Sequence, residues 1–398
     1  PVERRSLLEA WLGLQECLYA ELARGPPPAE APDPPLAPGG QYGRGMSTLA
    51  YEEHLDDIRV EFDALYTWDY DRSRDGLNRL YEKAKRAQWN VSDDLDWSTP
   101  VDPWRLTALQ AEATGVPPGF PGRALAEIPG SPVADWDEDR WIDFAVHSQC
   151  ASLSQFLHGE QGALMCASRL VESVPWIDAK YYASTQVVDE ARHVEAFHRY
   201  LDEKMPTTYP INENLKTLLD QLLQDSQWDL VYLGMQVVVE GLALAAFGMM
   251  MGTTQDPLLK KMIRYIMADE ARHVAFGILS LQEIYDDLSS ADFRERQEFA
   301  YEACDLMRRR SLNAELWPSF GVSNDDIMAL LPPTQTQQRF QHLIFSKIVP
   351  NCKKLGLLDH RDGWLRERFT EMGIIQYEDS SIEAEELTID SAIEPGEG

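Results

Sequence analysis

Residues 189–194 read Asp189-Glu190-Ala191-Arg192-His193-Val194, and residues 269–274 read Asp269-Glu270-Ala271-Arg272-His273-Val274. The same six residues recur 80 positions apart, and each copy has a lone glutamate 30 residues upstream, Glu160 before Glu190 and Glu240 before Glu270. The chain thus writes one constellation twice: a glutamate, 29 residues, then Glu-x-x-His. On an α-helix residues three apart share a face, so Glu190 and His193 point together, as do Glu270 and His273. Midway through each 30-residue interval stands a break. The first is Glu172-Ser173-Val174-Pro175-Trp176 and the second Gly252-Thr253-Thr254-Gln255-Asp256-Pro257. About 12 residues out and about 12 back, at ~1.5 Å each, return the chain to the level it left. Two antiparallel hairpins would then deliver four ligand positions to one height. That pattern predicts a dinuclear metal site, with a glutamate from each of two helices and Glu-x-x-His from each of two others.

Working outward, the 398 residues are 44% hydrophobic and suffice for a sizeable core. A net charge of −30 argues against nucleic acid and anionic membrane as partners, because a phosphate backbone requires a basic footprint. Five cysteines (Cys17, Cys150, Cys166, Cys304, Cys352) follow no close spacing and are odd in number, which reads as reduced thiols. The first residues, with Glu3, Arg4 and Arg5 and no apolar core, do not read as a signal peptide. A cytoplasmic location is the expectation.

Residues 4–24 read as a short amphipathic helix, followed by a Pro/Gly-rich linker to about residue 45. A helical domain is expected over 46–375, with its metal-binding core at 136–290. Within it, 47–90 reads as helical around Phe62, Tyr66, Trp68 and Tyr70, ending in the basic run Glu82-Lys83-Ala84-Lys85-Arg86. Residues 93–103 and 117–134 read as loops. Helices are expected at roughly 136–173, 177–203, 211–224, 226–251, 257–288 and 291–315, with shorter ones to about 371 and no strand-like alternation. Residues 377–398 hold eight acids and no base, and 376–398 is expected to be a solvated, disordered tail.

Residues 230–252 have the length and apolarity of a membrane span, with Glu240 as the single charge near the middle. A carboxylate there would cost several kcal/mol in a bilayer, and no basic flank sets an orientation. A helix apolar all round also suits the centre of a bundle. Glu240 still needs a partner there, and a metal cation supplies one. No membrane span is therefore expected. His147, His158 and His198 lie off the ligand faces and read as core or surface residues.

The doubled constellation resembles the ferritin-like dinuclear-iron carboxylate proteins, which include ribonucleotide reductase small subunits, bacterial multicomponent monooxygenase hydroxylases, acyl-carrier desaturases and arylamine N-oxygenases. The motifs cover residues 160–273. The resemblance implies an all-α, ferritin-like four-helix bundle with additional flanking helices. It implies that Glu160, Glu190, His193, Glu240, Glu270 and His273 bind two iron ions (iron–iron, or manganese–iron), with Glu190 and Glu270 as bridges and O₂ as co-substrate. Asp189 and Asp269 would hydrogen-bond the ligand histidines, and Arg192 and Arg272 would join that network. Departures from the subfamilies are specific. A radical-forming tyrosine of reductase subunits is Phe197 here, a monooxygenase threonine is Leu244, and the third histidine of arylamine N-oxygenases is Ile266.

Apolar residues on the ligand faces suggest a dry substrate pocket of Phe156, Leu164, Phe197, Leu244, Phe247, Phe276 and Gly277. The expected function is an O₂-activating non-haem diiron oxygenase of a small organic substrate, by C–H hydroxylation or amine N-oxygenation. The alternatives are a diiron oxidase or desaturase that inserts no oxygen, and a non-catalytic metal- or ligand-binding protein. Oxygenation needs two further electrons and the chain carries no flavin, nicotinamide or iron–sulfur motif, so an external ferredoxin or reductase is implied. Ferritin-like enzymes often dimerise, which makes a homodimer the natural assembly to test.

Overall fold

The computed structural model describes residue 58 and residues 60–309, 316–330, 335–359 and 362–379. The helix expected at 4–24, the linker after it and most of the acidic tail lie outside these residues. The described residues are all-α, without strands. The helices are α1 (Asp75–Arg86), α2 (Pro103–Thr114), α3 (Glu138–Ser173), α4 (Ile177–Lys204), α5 (Glu213–Gln224), α6 (Trp228–Thr253), α7 (Pro257–Tyr285), α8 (Ser290–Arg309), α9 (Asn324–Leu330), α10 (Gln335–Lys354) and α11 (Trp364–Glu371).

The bundle is α3, α4, α6 and α7, and local chemistry sets its hairpins. Asp137 caps α3, its carboxylate accepting from Arg140 N at 2.9 Å, with Glu138 and Asp139 in the first turn where the helix dipole favours anions. The helix stops where Val174 takes extended backbone (φ −70, ψ 142) ahead of Pro175. The second hairpin turns at Asp256, whose Oδ1 accepts from Leu258 N at 2.8 Å and Leu259 N at 3.3 Å, with Pro257 at the first helical position. Both breaks fall where the sequence places them.

Contacts across the bundle give the helix directions. Phe156 on α3 packs on Phe197 of α4 and Phe247 of α6, with ring centroids 5.9 and 4.5 Å apart. Phe276 on α7 packs on Tyr182 and Tyr232 at 4.3 and 4.9 Å. Since Phe197 also stacks on Phe247, α4 and α6 run parallel and in register, and α3 and α7 run antiparallel to them. The short helix α5 makes the return crossing that parallel neighbours require. One core forms around Tyr182, Tyr232 and Phe276 and another around Phe197, Phe247 and Ile266, on either side of the Glu190 level.

Helix α6 is the buried apolar stretch of the sequence: its most apolar window is 83% buried within the protein, so it is a core helix. It is not α-helical throughout. Leu233–Val239 winds in wider π turns just ahead of Glu240, a deviation that recurs at functional sites. At that level Gln236 Cβ lies 2.5 Å from where a β-carbon on Gly277 would stand. Glycine thus allows α7 to approach the swollen turn.

Two expectations need correction. Of the helix expected over 47–90, residues 47–57 and 59 lie outside the described residues, and from residue 60 helix spans only Asp75–Arg86, with Tyr66, Trp68 and Tyr70 exposed on a segment without helix. Side chains there take the backbone bonds a helix would use: Thr67 Oγ1 accepts from Asp69 N (3.2 Å) and Asp69 Oδ1 from Asp71 N (3.0 Å). Leu65 N donates instead to Glu172 O. Conversely α2 was not anticipated, although Asp102, Pro103 and the left-handed Gly115 give it ordinary start and stop signals.

Gly277→Ala should overpack the α6–α7 contact, because the nearest atom is a β-carbon fixed by its own helix. A loss of about 1–3 kcal/mol is expected, read as a lowered thermal midpoint. An unchanged midpoint would mean that the helices separate freely at this level.

Candidate metal centre

The bundle brings all six expected ligands to one level. Glu160 comes from α3, Glu190 and His193 from α4, Glu240 from α6, and Glu270 and His273 from α7, and none is more than 6% exposed. Their donor atoms form two groups, each within 4.8 Å: Glu160, Glu190, His193 and Glu270, then Glu190, Glu240 and His273. His193 Nδ1 lies 3.2 Å from Glu160 Oε2, 3.4 Å from Glu190 Oε2 and 3.2 Å from Glu270 Oε1. His273 Nδ1 lies 3.1 Å from Glu190 Oε1 and 3.6 Å from Glu270 Oε2. Glu190 and Glu270 therefore each direct one oxygen to either histidine, which is the placement a bridging carboxylate needs.

Each Nε2 faces away from the glutamates, and the pairing is crossed. His193 Nε2 is 3.1 Å from Asp269 Oδ2, and His273 Nε2 is 3.3 Å from Asp189 Oδ2, so each histidine leans on the aspartate of the other motif. Arg192 pairs with Asp189 and reaches Asp269 at 3.4 Å, and Arg272 pairs with Asp269 and lies 3.6 Å from Asp189. Both arginines are buried rather than spent on solvent. The sequence reading overlooked what closes this side. Trp89 Nε1 donates to Asp269 Oδ2 at 2.7 Å, Gln88 Nε2 donates to Asp189 Oδ1 at 3.2 Å, and Arg192 Nη1 donates to Gln88 Oε1 at 2.8 Å. These two residues follow α1, in a stretch with no motif to mark them.

Gln186 was also overlooked. Its Nε2 donates to Glu190 Oε1 at 3.1 Å and Glu240 Oε1 at 2.8 Å, tying α4 to α6. Its signal was available: Tyr182-x-x-x-Gln186-Val187-Val188-x-Glu190 is repeated as Tyr232-x-x-x-Gln236-Val237-Val238-x-Glu240.

The expected pocket residues do not meet in one place. Phe156, Phe197 and Phe247 cluster at one end of the site, while Phe276 and Gly277 lie at the other, with Tyr182 and Gln236. On antiparallel helices, residues that follow the ligands point to opposite ends. Leu244 contacts both cores, and Leu164 is half-buried on α3. Ile266 lies in the apolar core. His147 and His158 bond Tyr209 OH and Tyr209 O at 2.7 and 2.9 Å, His158 two residues from Glu160 but turned to Tyr209, and His198 is exposed. An open cleft of about 430 Å³ lies by His147, lined also by Arg140, Asp143 and Phe320. His147 precedes Glu160 by 13 residues, or roughly 20 Å of helix, so this cleft is not the donor cluster.

Electrostatics tests whether these residues fit metal ions. Burial pushes Glu160 and Glu240 well above the usual carboxylate range, with the neighbouring glutamates adding to it. Burial disfavours charged imidazoles too, but Glu160 at His193 and Glu190 at His273 overcome it and raise both rings well above their ordinary value. Burial would also raise Glu190, yet His273 and His193 outweigh it and hold that carboxyl far below its usual range. Arg272 and His193 do the same for Asp269. Protons thus fill the place of cations. Even so, Glu190 Oε2, Glu240 Oε2, both Glu270 oxygens and His273 Nδ1 have no hydrogen-bond partner. Buried carboxylate oxygens left unpaired at one point are what a cation would satisfy. The donor set fits.

Helix order, one crossover and a buried Glu/Glu-x-x-His set written twice define the class: an all-α, ferritin-like bundle with two adjoining carboxylate–histidine groups that could each hold a metal ion. Among solved structures, an R2-like ligand-binding oxidase variant with anaerobically reconstituted Mn/Fe cofactor is similar over 72% of this chain and 95% of its own, at 20% identity and a TM-score of 0.44. A second variant of that description gives 21% and 0.42 over the same shares, and an aerobically reconstituted form gives 18% and 0.39 over 78% and 93%. Such values carry no residue role to this chain. No family model and no curated protein matches it.

A stability test follows from the raised groups. The folded-state values of His193, His273, Glu160 and Glu240 exceed unfolded values of about 6.5 and about 4.3. Their contribution to the metal-free protein is complete below those unfolded values and is lost as pH rises through the folded ones. Metal replaces the same protons, so its binding strengthens as pH rises. The rise in thermal midpoint on adding Mn²⁺ should therefore be larger at pH 8 than at pH 6, and an equal rise at both would refute the assignment.

Proposed function

We propose that this protein is an O₂-activating non-haem enzyme with a dinuclear iron or manganese–iron centre, and that it oxygenates a small organic substrate. The observation that carries this reading is the sharing of Glu190 between two buried donor groups, each with one histidine Nδ1 turned inward. Glu160 and His193 would hold one ion and Glu240 and His273 the other, with Glu190 and Glu270 shared between them. Four carboxylates balance two divalent charges, and hard oxygen donors favour the oxidised metals, so a reduced pair supplies electrons to O₂.

The protein's own side chains do the rest. Asp269 and Asp189 orient the histidines and raise their basicity. Gln186 donates to Oε1 of both Glu190 and Glu240, leaving Glu240 Oε2 unpaired on the side of His273. The Phe156, Phe197 and Phe247 rings keep water from one end, which protects reactive species from side reactions. Substrate oxidation by insertion of oxygen, at carbon or amine nitrogen, needs electrons from outside the chain, so a ferredoxin or reductase is proposed as partner. Four buried free thiols, Cys150, Cys166, Cys304 and Cys352, fit a reducing compartment and hence a cytoplasmic location.

Two outcomes check this. Glu240→Ala should lower the bound metal from two ions per chain towards one while far-UV circular dichroism stays helical, and retention of two ions would remove Glu240 from the ligand set. For the reaction, the anaerobic ferrous protein is given ¹⁸O₂ with amines, aromatics and fatty acids, and products are read by mass spectrometry. Label in a product is expected. Dehydrogenation without label would replace the oxygenase reading with an oxidase or desaturase.

A further inference from the structure

The two ends of the donor cluster differ in kind. At one end stand Phe156, Phe197, Phe247 and Ile266. At the other, Tyr182, Gln186, Tyr232, Gln236 and Ser280 are all 0% exposed. Every one of these five carries a polar atom without a hydrogen-bond partner: Tyr182 OH, Gln186 Oε1, Tyr232 OH, both amide atoms of Gln236 and Ser280 Oγ. Buried polar groups in folded proteins are almost always paired, by protein or by ordered water. So many in one place require a common partner, and a polar pocket of water size is where buried water resides.

Their order along the helices gives the cluster a direction. Tyr182, Gln186 and Glu190 are spaced by four on α4, and Tyr232, Gln236 and Glu240 are spaced by four on the parallel α6. The glutamines occupy the level next to the glutamates, and the tyrosines the level beyond, where both rings pack on Phe276. Ser280 is one helical turn past Phe276 on α7, beside Tyr232. Five residues further, Tyr285 is also buried with an unpaired hydroxyl, and it lies in the field of Asp229 and Arg296. Arg296 donates to Asp229 through Nε at 2.7 Å and Nη2 at 2.9 Å, and to Gln227 Oε1 at 2.6 Å. Gln227 in turn donates to Glu295, which is half exposed. Buried polar groups thus recur at this end on α4, α6 and α7, from the glutamates towards the Asp229–Arg296 pair, which reaches the surface through Gln227 and Glu295.

We propose that Tyr182, Gln186, Tyr232, Gln236 and Ser280, bridged by ordered water, form a proton path from the Asp229–Arg296 pair to the metal centre. The inference rests on the reading of that centre as one that reduces O₂, a reaction that consumes protons. The hydroxyls and waters carry the protons, each oxygen accepting one and releasing another to its neighbour, so every group returns to its starting state and no oxidant or reductant is needed. The glutamine amides, which neither gain nor lose a proton, hold the waters in line. The path explains why the polar string is repeated on both helices that flank it, while Phe156, Phe197, Phe247 and Ile266 close the opposite end.

Two measurements test it. A high-resolution crystal structure of the metal-free protein should show ordered water bridging Gln236 to the Tyr232 and Tyr182 hydroxyls, whereas a dry contact among these side chains overturns the proposal. Tyr232→Phe and Ser280→Ala each delete a single oxygen. With iron content unchanged, each should slow oxidation of the anaerobic ferrous protein by O₂ about 10-fold or more and enlarge the solvent isotope effect in D₂O. Wild-type rate and isotope effect in both variants overturn it. A wild-type protein that binds no metal pair would sink the proposed function instead, and the crystallographic water would still decide the path.

Discussion

Four carboxylates brought together without solvent are the constraint on which the rest of this structure depends. Removing one carboxylate from water costs several kcal/mol even after the protein relaxes around it, and here Glu160, Glu190, Glu240 and Glu270 are buried at one level. The surrounding elements answer that cost. Two histidines face the glutamates, two aspartates steady the histidines, two buried arginines steady the aspartates, and Trp89 with Gln88 closes the outer side. Within the donor cluster, Glu190 Oε2, Glu240 Oε2, both Glu270 oxygens and His273 Nδ1 remain unpaired.

The crossed pairing makes the two halves interdependent. Because His193 leans on Asp269 and His273 on Asp189, neither hairpin orients its own histidine. A chain with only one copy of the motif correctly placed would have a ligand of the wrong tautomer or angle. The symmetry is incomplete, however. Asp269 receives an indole N–H and Asp189 a primary amide, so the two histidines sit on supports of different stiffness.

Much of this was legible in the sequence, for a physical reason: helical periodicity and equal arm lengths are local, one-dimensional facts. The ligands Glu160, Glu190, His193, Glu240, Glu270 and His273 meet because 30-residue hairpins with a break at mid-length can hardly do otherwise. The burial of α6 was readable from one charge in an apolar run. The crossing of Asp189 and Asp269 was not, since it depends on how far two helices rotate about one another. Tyr66, Trp68 and Tyr70 misled because aromatic density resembles a core until the competing Thr67 and Asp69 backbone bonds are counted. The apolar pocket failed to assemble because helix direction, which decides the end to which Phe276 or Phe247 points, is a property of the topology. The Tyr-x-x-x-Gln-Val-Val string was present in plain view and was masked by the stronger repeat beside it.

Helix α6 has a further consequence, in time rather than in space. During synthesis its 26 residues, apolar enough to suit a bilayer, leave the ribosome before α7 exists to cover them. At about 5–20 residues per second the covering helix is complete only seconds later. Helices α3 and α4 are already made by then, and Phe156 and Phe197 on them are the partners that Phe247 of α6 meets in the folded protein. The order of the hairpins along the chain thus places half of the bundle ahead of its most apolar segment.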